Sequence, residues 1–362
     1  MVTQVWQTSP DKPDETIISA AADVLKGGGL VAFPTETVYG LGAILTHQGA
    51  IERIFRVKNR PPSDPLIVHL ADPDQARDWA QDLPKSYFVL SQQFLPGPLT
   101  LVVKKRERVP DIVTAGRDTV ALRVPSHPVA RALLRETAVP VAAPSANLFG
   151  RPSPTTADHV LADLRGKIEG LIDAGPTPCG VESTVLDITQ SPPVLLRPGG
   201  VPKERLEEVL GVPILFSFTP SPDEAAAKRA PGRFLRHYAP SIPVLLSDGT
   251  ADALIQIALA AQVSGEADKP VGLLVPDDWA ATIKEAFRSS RRPPILYHWG
   301  QWGDWEEMAK RLFQGLRWLE RQGVSAIVAP LPNEDGMGLA LRDRLLRASA
   351  RPSSPPSADW GP

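Results

Sequence analysis

The 362-residue chain has a single cysteine, Cys179, so neither an intramolecular disulfide nor a cysteine-rich zinc site can form within it. Net charge is also nearly absent. A formal −2 at pH 7 provides no overall field to draw nucleic acid non-specifically, although a local basic groove stays open. No apolar run approaches the roughly 20 residues needed to cross a bilayer. The opening MVTQVWQTSPDKPDE lacks the basic-then-apolar order of a signal peptide, so a cytoplasmic protein with no membrane partner is expected. HExxH, a Walker P-loop and GxSxG are all missing, and no GxGxxG follows a strand. Nothing nominates a nucleophile. Proline, by contrast, is abundant: many of the 39 residues fall in loops, where they pre-set φ and lower the entropy of the unfolded chain. Proportions of 43% hydrophobic and 22% charged residues are those of a globular protein, and the length suggests two domains.

Apolar residues at helical spacing from Thr16 to Lys26 stop at Gly27-Gly28-Gly29, and Leu30 to Phe33 then reads as a buried strand. Helices are expected over Gln48–Val57, Pro128–Glu136 and Ala157–Leu164. Strands are expected at Pro65–Leu70, Leu99–Lys104, Val120–Val124 and Pro140–Ala143. This alternation indicates an α/β or α+β layered domain. A proline-rich stretch from Pro213 to about Arg236 reads as a linker. Beyond it, strands at Pro243–Leu246, Val271–Val275 and Ala326–Ala329 alternate with helices at Ala251–Ala261, Trp279–Phe287 and Asp304–Arg321. That pattern favours a parallel, Rossmann-like sheet. The end, RPSSPPSADWGP, has the composition of a disordered tail.

Five segments carry candidate chemistry. Lys58-Asn59-Arg60 closes a helix ahead of Pro61, Pro62 and Pro65. Two cations there suit a polyphosphate, but they equally suit an ordinary helix C-terminus. Pro144-Ser145-Ala146-Asn147 follows a buried strand and is either a ligand loop or an Asx-type turn. Glu182, in GVESTV, is either a partner for a cation or ammonium group, or a solvated charge. Arg123 and Arg197 each end a strand, where a single arginine is ordinarily a surface charge. His69 lies within an apolar strand, and no histidine shows metal-ligand spacing. Residue chemistry alone thus reaches an anion-binding α/β domain and names no reaction.

The order of these segments adds what none of them holds singly. FPTETVYGLGA (33–43), KNRPPSDPLIVHL (58–70), LPGPLT (95–100), ALRVPSHP (121–128), PSANLFGRPSPT (144–155), GVESTVLD (180–187) and LLRPGGV (195–201) together resemble the YrdC-like family of L-threonylcarbamoyladenylate synthases. APGRFLRHYAP (230–240) and GLALRDRLLRAS (338–349) resemble its long, two-domain branch. The resemblance implies an α/β fold: a YrdC-like twisted mixed sheet with helices over 12–212, and a smaller Rossmann-like C-terminal domain over 241–350. A linker or lid would span 213–240 and a tail 351–362. Its implied reaction joins L-threonine, bicarbonate or CO₂ and ATP, with Mg²⁺, into threonylcarbamoyl-AMP and pyrophosphate. The product would pass to a tRNA threonylcarbamoyltransferase acting on adenosine 37.

On matching positions, Lys58 and Arg60 would neutralise the triphosphate, and Asp64, Thr119, Ser145, Asn147, Ser153 and Arg197 would complete the ATP site. Tyr238 would reach over the nucleotide from the linker. Thr35, His69, Arg123, Ala143 and Ser183 would bind threonine, with Arg123 taking its carboxylate. Phe149 stands where the family usually has a small polar residue, and Arg233 where it often has methionine. A related carbamoyl-transfer module of hydrogenase maturation carries cysteine-rich zinc motifs, which one cysteine rules out. An RNA-binding module would place aromatic stacking platforms beside the basic segments, whereas these are flanked by proline and small polar residues.

Overall fold

The computed structural model describes residues 1–216, 236–265 and 268–350. Ten strands build the first domain: β1 (Gln4–Gln7), β2 (Val31–Phe33), β3 (Gly40–Ile44), β4 (Ile67–His69), β5 (Leu99–Lys104), β6 (Thr119–Arg123), β7 (Val141–Ala142), β8 (Gly170–Asp173), β9 (Thr184–Asp187) and β10 (Val194–Arg197). They form one sheet in the order β1-β8-β2-β3-β7-β4-β6-β5-β9-β10, with parallel and antiparallel neighbours, so the expected mixed sheet is present. Its helices are α1 (Glu15–Lys26), α2 (Gln48–Lys58), α3 (Ala76–Trp79), α4 (Lys85–Phe94), α5 (Asp111–Thr114), α6 (Pro128–Thr137), α7 (Ala157–Leu164) and α8 (Lys203–Leu210).

Local chemistry explains the boundaries. Asp14 caps α1 by accepting from the Thr16 and Ile17 amides, and Pro128 opens α6 where no amide donor is needed. Ile18, Ala21, Ala22 and Leu25 of α1 pack with Val129, Ala130 and Leu133 of α6 over Phe33 and Val141 on one face of the sheet. Ile51, Ile54 and Phe55 of α2 cover the other face with Leu90 and Val160. Two boundaries differ from the sequence expectation. β1 pairs in parallel with β8, so the first domain's sheet begins ahead of residue 12. The stretch after α8 also stays attached, because the Leu195 amide donates to the Leu215 carbonyl and the Leu215 amide to the Pro193 carbonyl. Of the expected linker, residues 217–235, including Arg233, lie outside the described residues, as does 351–362.

The second domain has strands β11 (Val244–Ser247), β12 (Gly272–Val275), β13 (Ile295–His298) and β14 (Ile327–Pro330), all parallel in the order β11-β14-β12-β13. Helices α9 (Ala251–Ser264), α10 (Ala280–Ala286), α11 (Trp305–Arg321) and α12 (Gly336–Ser349) connect and follow them, the Rossmann-like arrangement expected. β13 escaped the sequence reading because its residues, ILYH, are only half-buried and follow Pro293-Pro294. No helix among the described residues is long and apolar enough to cross a membrane.

The two cores meet. Val38 and Val181 of the first domain pack into one cluster with Tyr238 and with Leu312, Phe313 and Leu341 of α11 and α12. Gly180, at φ +75°, allows this approach, since a Cβ there would lie 2.3 Å from the Lys310 Cα. A buried ion pair joins the domains as well. Arg317 of α11 donates from Nη2 to Asp163 Oδ2 at 2.7 Å and to the Pro152 carbonyl at 2.6 Å. Removing one partner of such a pair leaves a buried charge uncompensated, at about 3–5 kcal/mol. Arg317→Met is therefore expected to lower the unfolding midpoint in denaturant clearly, and Arg317→Met/Asp163→Asn to recover much of the loss. A single variant as stable as the parent would show that the pair is not holding the junction.

Candidate active site

Sheet register gathers the expected residues at one end. β4 and β6 run parallel with His69 opposite Arg123, and antiparallel β7 sets Val141 beside His69. The Pro34–Tyr39 loop leaves β2 above them, and an isolated bridge ties Gly40 to Ser145. The result is a cavity of about 530 Å³, including its open mouth. Thr35, Arg60, His69, Arg123, Ala143, Ser145, Arg197 and Tyr238 all line it, together with Glu182 and His237.

Its cations are inside the protein. Arg60, Arg123 and Arg197 are only 4–5% exposed, so none is the surface charge that a lone strand-end arginine suggests. Each is held by oxygen. Arg60 donates to the Asp64 and Pro65 carbonyls and faces the Asp64 carboxylate at 2.9 Å. Arg123 Nη2 donates to Glu36 Oε1 and Thr37 Oγ1, both at 2.8 Å, with Thr35 Oγ1 at 3.5 Å. Arg197 donates to the Ser183 carbonyl and to its hydroxyl, which also bonds Thr100 Oγ1 at 2.8 Å. Buried guanidiniums framed in this way offer no exposed stacking platform for single-stranded RNA.

Lys58, Asn147, Ser153, Asp64 and Ser183 stand directly behind the wall. Lys58 Nζ donates to the carbonyls of Ser145 and Asn147, so the end of α2 and the PSAN loop form one unit. Burial, with Arg60 beside it, pushes the Lys58 ammonium well below the ordinary lysine range. Burial likewise raises the Asp64 carboxyl, whose oxygens have the Arg60 ion pair but no further hydrogen-bond partner among the described residues. Ser153 donates to Glu182 Oε1, and Asn147 donates to the Leu148 and Arg151 carbonyls. Burial and then Arg123 push the His69 imidazolium down to about 3, so the ring is neutral at physiological pH. Thr119 is not in this wall. It sits at the far end of β6, about 13 Å along the strand from Arg123, and lines a separate hollow with Pro65 and Arg117.

Glu36 and Arg344 were not singled out beforehand. Glu36 clamps Arg123 and also accepts from the Ser126 amide at 3.1 Å. Glu182 is no solvated charge: burial alone would raise its pKa, yet Arg344, Arg197 and the Ser153 hydrogen bond together hold it below the usual range. Arg344 belongs to α12, in the second domain, and is fully buried. A clue lay in GLALRDRLLRAS, where an apolar helix carries Asp343, Arg344 and Arg347. Gly199 lets the loop after β10 press onto this region, since a Cβ there would meet the Glu182 carbonyl at 2.3 Å. Phe149, the departure from the family pattern, packs edge-on against His237 at 5.4 Å, so the larger side chain has a partner in the linker.

Comparison with known proteins agrees with this geometry. The Sua5/YciO/YrdC family model, described as telomere recombination, matches residues 23–199, and the threonylcarbamoyl-AMP synthase C-terminal domain matches 201–350. The threonylcarbamoyl-AMP synthase of Pyrococcus abyssi is 44% identical over 94% of this chain and 96% of its own length. That of Bacillus subtilis is 41% identical over 92% of each. The crystal structure of P. abyssi Sua5 complexed with L-threonine superposes with a TM-score of 0.86 at 42% identity, covering 96% of this chain and 98% of that one. The chain belongs to the threonylcarbamoyl-AMP synthase family, in its two-domain form.

Proposed function

We propose that this cavity condenses L-threonine, bicarbonate or CO₂ and ATP into threonylcarbamoyl-AMP and pyrophosphate. The observation that carries this reading is the convergence of three buried guanidiniums, Arg60, Arg123 and Arg197, on one cavity that also presents Thr35, His69 and Ser145. Threonine has one carboxylate, and ATP brings several negative charges. Arg123 takes the carboxylate. Thr35, neutral His69, Ser183 and the strand end at Ala143 surround the amino acid's hydroxyl and amine. Arg60 and Arg197 face the phosphates, with Lys58 behind them and Ser145, Asn147 and Ser153 around the nucleotide. An arriving polyanion favours the protonated form of Lys58, reversing the effect of burial. Asp64 keeps Arg60 in place. The hollow containing Thr119 adjoins the Arg60 loop at Pro65, so an extended nucleotide reaches it along that side.

The neutral amine attacks CO₂, forming the N–C bond of a carbamate and releasing one proton to solvent; bicarbonate supplies that CO₂ by losing hydroxide, which takes up the proton as water. A carbamate oxygen then attacks the α-phosphorus, and the bond to the bridging oxygen of pyrophosphate breaks. No protein nucleophile is needed, so rate enhancement rests on positioning and on charge placed before the reaction begins. ATP enters as its magnesium complex. The Mg²⁺ would neutralise part of the phosphate charge beside Arg60 and Arg197. Tyr238 covers the nucleotide and keeps water from a labile mixed anhydride. The product's chemistry suits transfer of its threonylcarbamoyl group to adenosine 37 of tRNA by a partner threonylcarbamoyltransferase.

Pyrophosphate release from ATP is expected only when L-threonine and bicarbonate are both present; equal release with either omitted would overturn the proposal. Substrate choice tests the threonine half. Serine lacks one methyl, which costs about 1–3 kcal/mol, whereas valine leaves a hydroxyl-binding site unpaired and should be rejected by roughly 10⁴-fold. Valine competing as well as serine would place the hydroxyl contacts elsewhere.

A further inference from the structure

We propose that Arg344, on the last helix of the second domain, is a positioning residue for the nucleotide half of the site. One guanidinium there touches three separate segments. Its Nε donates to Glu182 Oε2 at 2.8 Å, and Glu182 in turn accepts from Ser153. Its Nη2 donates to the Pro198 carbonyl at 2.9 Å, one residue after Arg197. Its guanidinium carbon lies over the Tyr238 ring, 4.9 Å from the centroid. Ser153, Arg197 and Tyr238 are three of the groups assigned to ATP above, and the inference rests on that assignment.

The physical demand is specific to arginine. A planar guanidinium reaches separate acceptors from Nε, Nη1 and Nη2 while its carbon lies over a ring, whereas the single nitrogen of an ammonium cannot span the same three acceptors. Asp343 Oδ2 accepts from Nη1 at 2.7 Å, and Asp343 also pairs with Arg347, so the helix itself anchors the fork. Tyr238 is held equally firmly. It has φ +61°, packs on Phe313 at 5.6 Å, and is followed by an Ala239 amide that donates to the Gly150 carbonyl. Its buried hydroxyl has no hydrogen-bond partner among the described residues, so a ligand that supplies one is favoured there. Thus the second domain fixes the distance between the linker's aromatic ring and the first domain's phosphate-binding loops. Of the threonine half, Arg123, Thr35 and His69 share no hydrogen bond or ion pair with Arg344 among the described residues, and Ser183 is linked to it only through its neighbour Glu182 and through Arg197.

The test is a comparison of Michaelis constants in the full-length enzyme. Arg344→Lys keeps the charge and loses the fork. Its KM for ATP should rise about tenfold, equivalent to ~1.4 kcal/mol, while its KM for threonine stays within about twofold. A merely structural residue would lower the active fraction, and hence kcat, with both KM values unchanged. Equal changes in both constants, or no change in either, would overturn the proposal. If Arg344→Lys fails to fold, the charge-neutral Glu182→Gln/Arg344→Met variant replaces it, judged by the same split. ATP affinity measured by calorimetry on the same proteins keeps the test separate from the proposed reaction. Should the parent enzyme release no pyrophosphate, a tenfold weaker ATP affinity in the variant would still support the role of Arg344, and an unchanged affinity would refute it.

Discussion

Burying a guanidinium costs several kcal/mol unless carboxylates and carbonyls replace its water, and this fold meets that requirement repeatedly around one cavity. Asp64 faces Arg60, Glu36 pairs with Arg123, and Glu182 and Asp343 share Arg344. The main-chain carbonyls of Ser183, Pro198 and Pro152 take the remaining donors of Arg197, Arg344 and Arg317. The arrangement explains why so much of the binding wall is made of loops leaving strand ends: only irregular backbone has carbonyls free to point inward. It also fixes the chemistry, because cations whose counter-charges are built in stay charged without bulk water. Under the proposed function, a polyanion enters a site that needs little reorganisation.

The same constraint joins the two domains. Asp163 and Glu182 belong to the first domain, and their arginines, Arg317 and Arg344, come from the second. Neither half is electrostatically complete alone. Between them lies Tyr238, in a cluster with Val38, Val181 and Phe313, so the cover of the cavity is packed by residues of both domains. The second domain has a Rossmann-like sheet but no glycine-rich dinucleotide motif. Its contribution to the site comes instead from the inward faces of α11 and α12.

Much of the fold was legible in the sequence because its periodicity is local. β5 and α7 fall where the apolar pattern puts them, and α1 and α6 start or end within a residue of their expected limits. The elements that escaped are those whose burial is decided by distant neighbours. β1 is mostly exposed and exists through its pairing with β8, and half-buried β13 depends on β12. The site was legible only in part. Lys58, Arg60, Arg123 and Arg197 each looked ordinary alone, and their ordered motifs joined them into one site. Glu36 and Arg344 lie within quoted motifs too, yet what defines their roles is a partner 87 and 162 residues away in sequence. Charge pairing over such separations leaves no periodic trace.

A shared site predicts that Tyr238 and Arg344 act on ATP as one unit. Titration calorimetry of ATP against the parent, Tyr238→Leu, Arg344→Lys and the double variant measures this directly. The second substitution should add little once the first is present, with a coupling of about 1 kcal/mol or more. Affinity losses that simply multiply would show that the linker and the second domain act independently, contradicting a cavity built from both domains.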